Sequence, residues 1–225
     1  VPAPVVDTRR QYDGLEALYL PIAVGVCVLV FVLVIAFALR YRRREDGGRP
    51  SRVADAPRVE GAYAVVLAGV VALLLVFTYT TEAKVDRVSA HPALTVKVTA
   101  AKWHWRFDYP AYGITELGRD VTGTPGGERG AVPTLYVPAG NTVRFLITAL
   151  DVNHAFWIPD LRFKRDANPG RTDAFDMLFP RAGSLASGGE CSEFCGLNHA
   201  GMRFNVQVMA PGAFRAWAQA HRGTP

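Results

Sequence analysis

Residues 191–202 read Cys-Ser-Glu-Phe-Cys-Gly-Leu-Asn-His-Ala-Gly-Met, and they decide what kind of domain must surround them. Four side chains able to hold a metal, Cys191, Cys195, His199 and Met202, stand at spacings of four, four and three. Such spacings also fall on one face of a helix. Gly188 and Gly189 before the segment, and Gly196 and Gly201 inside it, favour a loop, because glycine is costly in a helix interior. Thiolate, imidazole and thioether together suit copper better than a hard cation. No carboxylate cluster within the segment competes for calcium or magnesium. A Cys191–Cys195 disulfide in an oxidising compartment is a second reading, though it gives the spacing of His199 and Met202 no role. A structural zinc site is a third, with Met a poor zinc ligand. The remaining cysteine, Cys27, falls in an apolar block and reads as inert packing. An odd count of three, two of them within five residues, is a poor disulfide framework.

The flanking sequence reads as β-structure. Leu94-Thr-Val-Lys-Val-Thr alternates apolar and polar residues, as a half-buried strand does. Trp103 to Tyr109 is aromatic-rich and strand-like. Thr134-Leu-Tyr-Val-Pro and Thr142-Val-Arg-Phe-Leu-Ile-Thr flank a Pro-Ala-Gly-Asn turn at 138–141, a hairpin signal. Met202 to Met209 alternates again. Residues 117–131, rich in Gly, Thr and Pro, read as an exposed loop, and Ala213 to His221 suits a short terminal helix. Short strands with turn signals point to a sandwich or barrel. A further imidazole, His154 in Asp151-Val-Asn-His154, lies upstream. By itself it reads as a satisfied core histidine more readily than as a ligand.

Two uncharged apolar blocks precede this domain, Leu18 to Leu39 and Ala62 to Tyr79. At about 1.5 Å per residue, the first spans a bilayer core of about 30 Å comfortably and the second is just long enough. Residues 40–60 hold seven Arg against Glu45, Asp46, Asp55 and Glu60, and Gly47, Gly48, Pro50 and Pro57 keep the stretch irregular. The positive-inside rule places this Arg-rich loop, 40–61, in the cytoplasm. The expected organisation is therefore an outer tail at 1–17, a transmembrane hairpin at 18–80 and an outer domain at 81–225. Both termini then face the outer side of a prokaryotic plasma membrane. Two spans make no pore alone, so the hairpin should pack against a larger membrane partner. The chain opens at Val1 without the charged n-region, short apolar run and cleavage site of a signal peptide, and whether one was removed is not written in these residues.

Charge excludes some functions. Residues 1–80 hold nine basic and seven acidic residues, so +2, and residues 81–225 hold sixteen and thirteen, so +3, giving the formal +5. No basic run interleaved with aromatics supports nucleic-acid binding. No phosphate-cradling loop and no dinucleotide glycine fingerprint occurs.

The string C-S-E-x-C-G-x-N-H-x-x-M, with D-V-x-H upstream, resembles the binuclear copper A centre of the cytochrome c oxidase subunit II family. The resemblance spans essentially the whole chain: helical hairpin, aromatic strand, D-V-x-H segment and copper loop in the family's order. It implies a membrane-anchored all-β protein, with a two-helix hairpin followed by a cupredoxin-like Greek-key β-sandwich or barrel. It implies that Cys191 and Cys195 bridge two copper ions and that His154 and His199 each supply one nitrogen. Met202 and the main-chain carbonyl of Glu193 are then weak ligands. The Glu193 side chain would help hold a magnesium shared with subunit I; without the resemblance it reads as a solvated carboxylate.

Lys102-Trp103-His104-Trp105-Arg106-Phe107-Asp108-Tyr109 is similar to the family's W-Y-W-S-Y-E-Y strand, which makes Trp103 the point where the electron comes in. His104 departs from the family's middle Tyr, and Trp105 and Phe107 are expected to pack inward. Lys164-Arg-Asp166-Ala-Asn-Pro169-Gly170-Arg171 resembles K-x-D-A-x-P-G-R, placing Arg171 near the route to haem; otherwise Pro169-Gly170 is an ordinary turn. Glu60 matches a family carboxylate at the mouth of a proton pathway. It also reads as an acid favoured by a helix N-terminus. Tyr63-Ala-Val-Val stands where the family has Trp-Thr-x-x-Pro, which weakens the proton-mouth reading.

The resemblance implies single-electron acceptance from a c-type cytochrome and delivery to haem in subunit I, where oxygen is reduced to water and protons are pumped. The partners implied are subunit I, other oxidase subunits and that cytochrome. The net-positive outer domain departs from the acidic surface of many members, so the donor is expected to be acidic, membrane-bound or held in a supercomplex. Two alternatives stay open: the copper A subunit of a related haem–copper complex such as a nitric oxide reductase, and a membrane-tethered copper chaperone. A quinol oxidase subunit would lack these ligands. No C-x-x-C-H haem motif occurs in the 225 residues.

Overall fold

The computed structural model describes residues 7–42, 55–118 and 132–223. Most of the Arg-rich loop expected over 40–61, and most of the loop expected over 117–131, lie outside the described residues.

Two long helices come first, α1 (Thr8–Arg40) and α2 (Pro57–Val85), and both are long and apolar enough to cross a membrane. Their side chains carry large apolar surface with no protein over it, Phe31 at 66% and Leu75 at 63% exposed. Such surface is at home against lipid or another membrane helix. Near the outer ends the Tyr19 hydroxyl donates to the Leu74 carbonyl at 3.2 Å and pairs with the Thr78 hydroxyl. The start of the first span thus meets the end of the second, as an antiparallel hairpin requires.

The loose tail expected over 1–17 is corrected from Thr8 onward, where the chain is already helical. Asp7 supplies the missing start signal. Its carboxylate accepts the Arg10 N–H at 3.3 Å and its carbonyl accepts the Gln11 N–H at 3.2 Å, an N-cap. Contacts then hold the first turns. The Thr8 hydroxyl donates to the Leu161 carbonyl, the Arg9 guanidinium donates to the Asp160 carbonyl, and the Arg162 guanidinium lies over the Tyr12 ring. The second helix also starts earlier than the apolar block, at Pro57, which suits a first helical position.

The outer unit is a sandwich of two sheets. Its strands are β1 (Leu94–Ala101), β2 (His104–Tyr109), β3 (Ile114–Leu117), β4 (Thr134–Pro138), β5 (Thr142–Ala149), β6 (His154–Ile158), β7 (Phe163–Ala167), β8 (Asp173–Leu178), β9 (Gly183–Ser184), β10 (Gly189–Cys191) and β11 (Arg203–Met209), followed by helix α3 (Pro211–Ala220). One sheet runs β3-β2-β1-β5-β8; the other runs β4-β11-β10-β6-β7, with β9 beside β11. Alternate residues of β1, β2 and β5 point inward, so Val96, Val98, Trp105, Phe107, Phe145 and Ile147 fill the space between the sheets. Aromatic rings from both sheets meet there: Phe156 stacks on Phe204 at 4.8 Å, and Trp105 meets Phe204 edge-on at 5.5 Å.

The hairpin expected around 138–141 does not form. β4 pairs in parallel with β11, whereas β5 lies in the other sheet between β1 and β8. The turn's amides are bonded elsewhere, Ala139 N–H to the Met209 carbonyl and Gly140 N–H to the Phe179 carbonyl, both at 2.8 Å. The turn is therefore a crossing between sheets, and a short-range turn signal could not reveal which strands lie beside each arm.

The segment after α2 is fastened to this unit by a buried ion pair. Asp176, 1% exposed, accepts the Ser89 N–H at 2.5 Å and two bonds from Arg144, at 2.7 and 3.0 Å. Arg144 also donates to the Ser89 carbonyl at 2.6 Å. Removing one partner of a buried pair strands the other charge. Asp176→Ala should lower the unfolding free energy of the outer domain by about 3 kcal/mol or more, read by urea denaturation; a loss too small to measure would contradict this account.

Candidate metal centre

The cysteine loop is held by its own backbone. The Cys191 N–H donates to the Met202 carbonyl at 3.0 Å and closes the loop at its neck. Inside it, His199 N–H reaches the Gly196 carbonyl at 3.1 Å and Gly201 N–H reaches that of Asn198 at 2.9 Å, which winds a 3-10 turn over His199–Gly201. Ser192 N–H donates to the Ala155 carbonyl at 3.1 Å and ties the loop to the strand that carries His154. The glycines that precede it are required by space. A Cβ at Gly189 would fall 2.0 Å from the Phe204 ring, and one at Gly188, whose φ is +59°, would fall 2.6 Å from the Phe204 carbonyl oxygen.

This closure gathers six donor atoms. Cys191 Sγ and Cys195 Sγ are 3.8 Å apart, far beyond a disulfide bond of about 2.05 Å. All three cysteines are free thiols. The disulfide and helical-stripe readings are thereby excluded for this structure. His154 Nδ1 lies 3.7 Å from Cys191 Sγ, and His199 Nδ1 lies 3.6 Å from Cys195 Sγ. Met202 Sδ is 3.9 Å from Cys195 Sγ, and the Glu193 carbonyl oxygen is 3.2 Å from Cys191 Sγ. Each sulfur thus has one imidazole nitrogen and one weak donor beside it. His154, Cys191, Cys195 and Met202 are all buried. Soft sulfur at the centre with nitrogen on either side fits copper.

Outer contacts orient the donors. His154 Nε2 bonds to the Asp151 carboxylate at 2.9 Å, which leaves Nδ1 to face the thiol. Asp151 also accepts N–H bonds from Lys102 at 2.8 Å and Val152 at 2.7 Å. Burial raises the Asp151 carboxyl, but these bonds outweigh it and hold it below the usual carboxylate range. Burial pulls the His154 imidazole down, yet its bonds to Cys191 and Asp151 leave it raised. The thiols diverge. Burial pushes Cys191 up, but its bonds with the His154 ring and nearby main chain bring it down to about 7. Burial and the neighbouring Cys191 thiolate push Cys195 up to about 12.

Both indoles of the aromatic strand reach the loop. Trp103, half-buried, donates from Nε1 to the Cys195 carbonyl at 3.2 Å, and its ring would lie 3.1 Å from a Cβ at Gly196, whose φ is +115°. Trp105 is buried, as expected, and donates to the Met202 carbonyl at 3.3 Å. Phe107 is buried too. Glu193 divides its roles: its carbonyl faces Cys191 while its exposed carboxylate takes a 2.5 Å bond from Lys164, which holds it low. Arg171 is exposed and bonds to Asp173 at 2.6 Å. Glu60, in the first turn of α2, accepts the Ala56 N–H at 3.2 Å, the helix-start role. Neither belongs to the donor cluster. The exposed Phe194 and Leu197, at 82% and 87%, lie on the loop itself and had no signature beyond their position there.

The sequence profile described as the periplasmic domain of cytochrome c oxidase subunit II matches residues 94–209, from the first strand to the last. The chain belongs to the cytochrome c oxidase subunit II family. It is 30% identical over 241 residues to the probable cytochrome c oxidase subunit 2 of Streptomyces avermitilis, covering 94% of this chain and 75% of that one. It is 31% identical over 229 residues to the cytochrome c oxidase subunit 2 of Bacillus subtilis, covering 96% and 59%. Among solved structures, the periplasmic domain of cytochrome oxidase subunit II (CoxB) of Bradyrhizobium japonicum superposes with a TM-score of 0.51 at 29% identity, covering 60% of this chain and 96% of that one. The family membership makes this chain a component of a respiratory oxidase that works with other oxidase subunits and carries copper A binding as a family property. Its two apolar helices anchor it to a membrane, with the β-domain on the outer side.

The divergence of the two thiols has a pH signature in the metal-free subunit. Cys191 should be alkylated at lower pH than Cys195, since its thiol is lowered from the ordinary range and that of Cys195 is raised. Mass-spectrometric mapping of alkylated cysteines against pH checks this; equal reactivity of both thiols at every pH would contradict it.

Proposed function

We propose that this subunit accepts single electrons from a c-type cytochrome at a binuclear copper A centre and passes them to haem in subunit I, where oxygen is reduced to water and protons are pumped. The observation that carries the reading is the pair of unbonded sulfurs 3.8 Å apart, each with an imidazole nitrogen within 3.7 Å. When bound, a copper pair supplies one-electron redox chemistry at the outer face. Cys191, Cys195, His154 and His199 would hold it, and Met202 with the Glu193 carbonyl would add weaker donors that tune its potential. The closed loop holds these donors still, so little rearrangement accompanies a change of charge.

The other residues have supporting parts in this proposal. Trp103 is the point where the electron comes in, because it is partly exposed and its indole bonds to the Cys195 carbonyl. Arg171 lies near the route out, Glu60 at a proton-pathway mouth, and the Glu193 side chain helps hold a magnesium at the contact with subunit I. Lys164 must then yield its 2.5 Å bond to that carboxylate or share it. Both termini face the outer side of a prokaryotic plasma membrane. The outer residues 81–225 are net positive by three, sixteen basic less thirteen acidic, which suits an acidic donor, or one held in the membrane or a supercomplex. Charge of opposite sign mainly sets encounter rate and specificity. A copper chaperone is less well served here, because it must release its metal, and four of the donor side chains are buried.

Copper counting with electron paramagnetic resonance tests the reading. Two coppers per chain with the hyperfine pattern of an electron shared by both nuclei is the expected result; one copper with the simple pattern of a lone nucleus would overturn it. Trp103→Phe should keep that spectrum yet slow oxidation of a reduced c-type cytochrome severalfold in stopped-flow measurements of the assembled oxidase. An unchanged rate would remove Trp103 from the route.

A further inference from the structure

Trp105 lies under the metal loop and touches both of its halves. Its ring is wholly buried between the sheets, held edge-on by Phe156 at 5.9 Å and Phe204 at 5.5 Å. Its indole N–H donates to the Met202 carbonyl at 3.3 Å, the same oxygen that takes the Cys191 N–H at 3.0 Å. Its ring also meets the His154 imidazole at 6.4 Å with a 64° tilt. One side chain therefore bears on the neck bond of the loop, on the backbone of Met202 and on the ring of His154. A buried carbonyl with two donors has little freedom to tilt. The Met202 side chain starts from that backbone, and its Sδ stands only 3.9 Å from Cys195 Sγ.

We infer that Trp105 is a positioning residue: its indole N–H fixes the Met202 backbone and through it the distance of the Met202 thioether from the metal, so that Trp105 sets the reduction potential of the centre. This rests on the copper reading above for its redox consequence, though not for the placement of Met202. The contrast with Trp103 is chemical. Trp103 bonds to the Cys195 carbonyl and is partly exposed, whereas Trp105 has no exposed surface and bonds only where the weak sulfur ligand is rooted. Removing the Trp105 N–H lets the Met202 carbonyl turn and the thioether draw back. With copper bound, a weaker thioether donor would favour the reduced metal and raise the potential.

The test separates the N–H from the ring. Trp105→Phe removes the donor but also leaves a cavity, so the second variant replaces Trp105 with benzothienylalanine, which keeps the shape and has sulfur in place of N–H. In the copper-loaded chain, both variants should show a raised midpoint potential and altered hyperfine splitting with copper count unchanged. In the metal-free chain labelled at methionine methyls, the single Met202 resonance should broaden or split in both. Wild-type potential, spectrum and Met202 resonance in the benzothienylalanine variant would overturn the inference. A failed copper count in the wild-type chain would instead sink the copper reading, and the methyl resonance would still test whether Trp105 places Met202.

Discussion

The bond from the Cys191 N–H to the Met202 carbonyl is the constraint on which the rest of the site depends. It joins the last residue of one short strand to the residue before another, so the chain between them must fold back on itself. Only then does each thiol come within 4 Å of the other, of an imidazole and of a weaker donor. The strand β10 has three residues and cannot set this geometry by its own ladder. Gly188 and Gly189 let it press against Phe204, where any Cβ would collide. Pairing of Glu190 with Trp157 and Cys191 with Phe156 then brings the first cysteine beside the strand of His154.

Around that neck, polar groups are fixed in pairs rather than left to chance. Asp151 holds His154 from behind and also caps the turn that leads to Trp103, so the donor imidazole and the partly exposed indole share one anchor. Trp103 and Trp105, two residues apart on β2 and its leading turn, bond to carbonyls at two points of the loop. A buried site built this way resists the small displacements that would spoil metal geometry. The thiol pair shows the same coupling in its acidity: burial, and then the neighbouring Cys191, raise the Cys195 thiol, while bonds to His154 and the main chain lower Cys191.

Much of this was legible in the residues. The metal loop announced itself by composition and spacing, and the two spans by length without charge. The alternation of Leu94–Thr99 and Thr142–Thr148 matched β1 and β5. Most of what stayed hidden depended on partners far away in sequence. The N-cap at Asp7 is a local signal, but it stands ten residues ahead of the apolar block that marked the span. The Pro138–Asn141 turn looked like a hairpin because turn chemistry is local, while the partners of its amides, Met209 and Phe179, are not. Trp105 was expected to pack inward, but its indole bond to Met202 spans 97 positions and leaves no trace in spacing. Glu193 likewise gave no sign that Lys164 would hold its carboxylate.

The protein preorganises the donor set, with the loop closed before any metal arrives. Amide hydrogen exchange at Cys191 and His199 in the metal-free chain measures this directly. The account predicts both amides protected by about a hundredfold or more over an unfolded peptide, as hydrogen-bonded groups in a stable unit are. Exchange of both at unfolded rates until copper is added would contradict it, and would mean that the metal builds the loop.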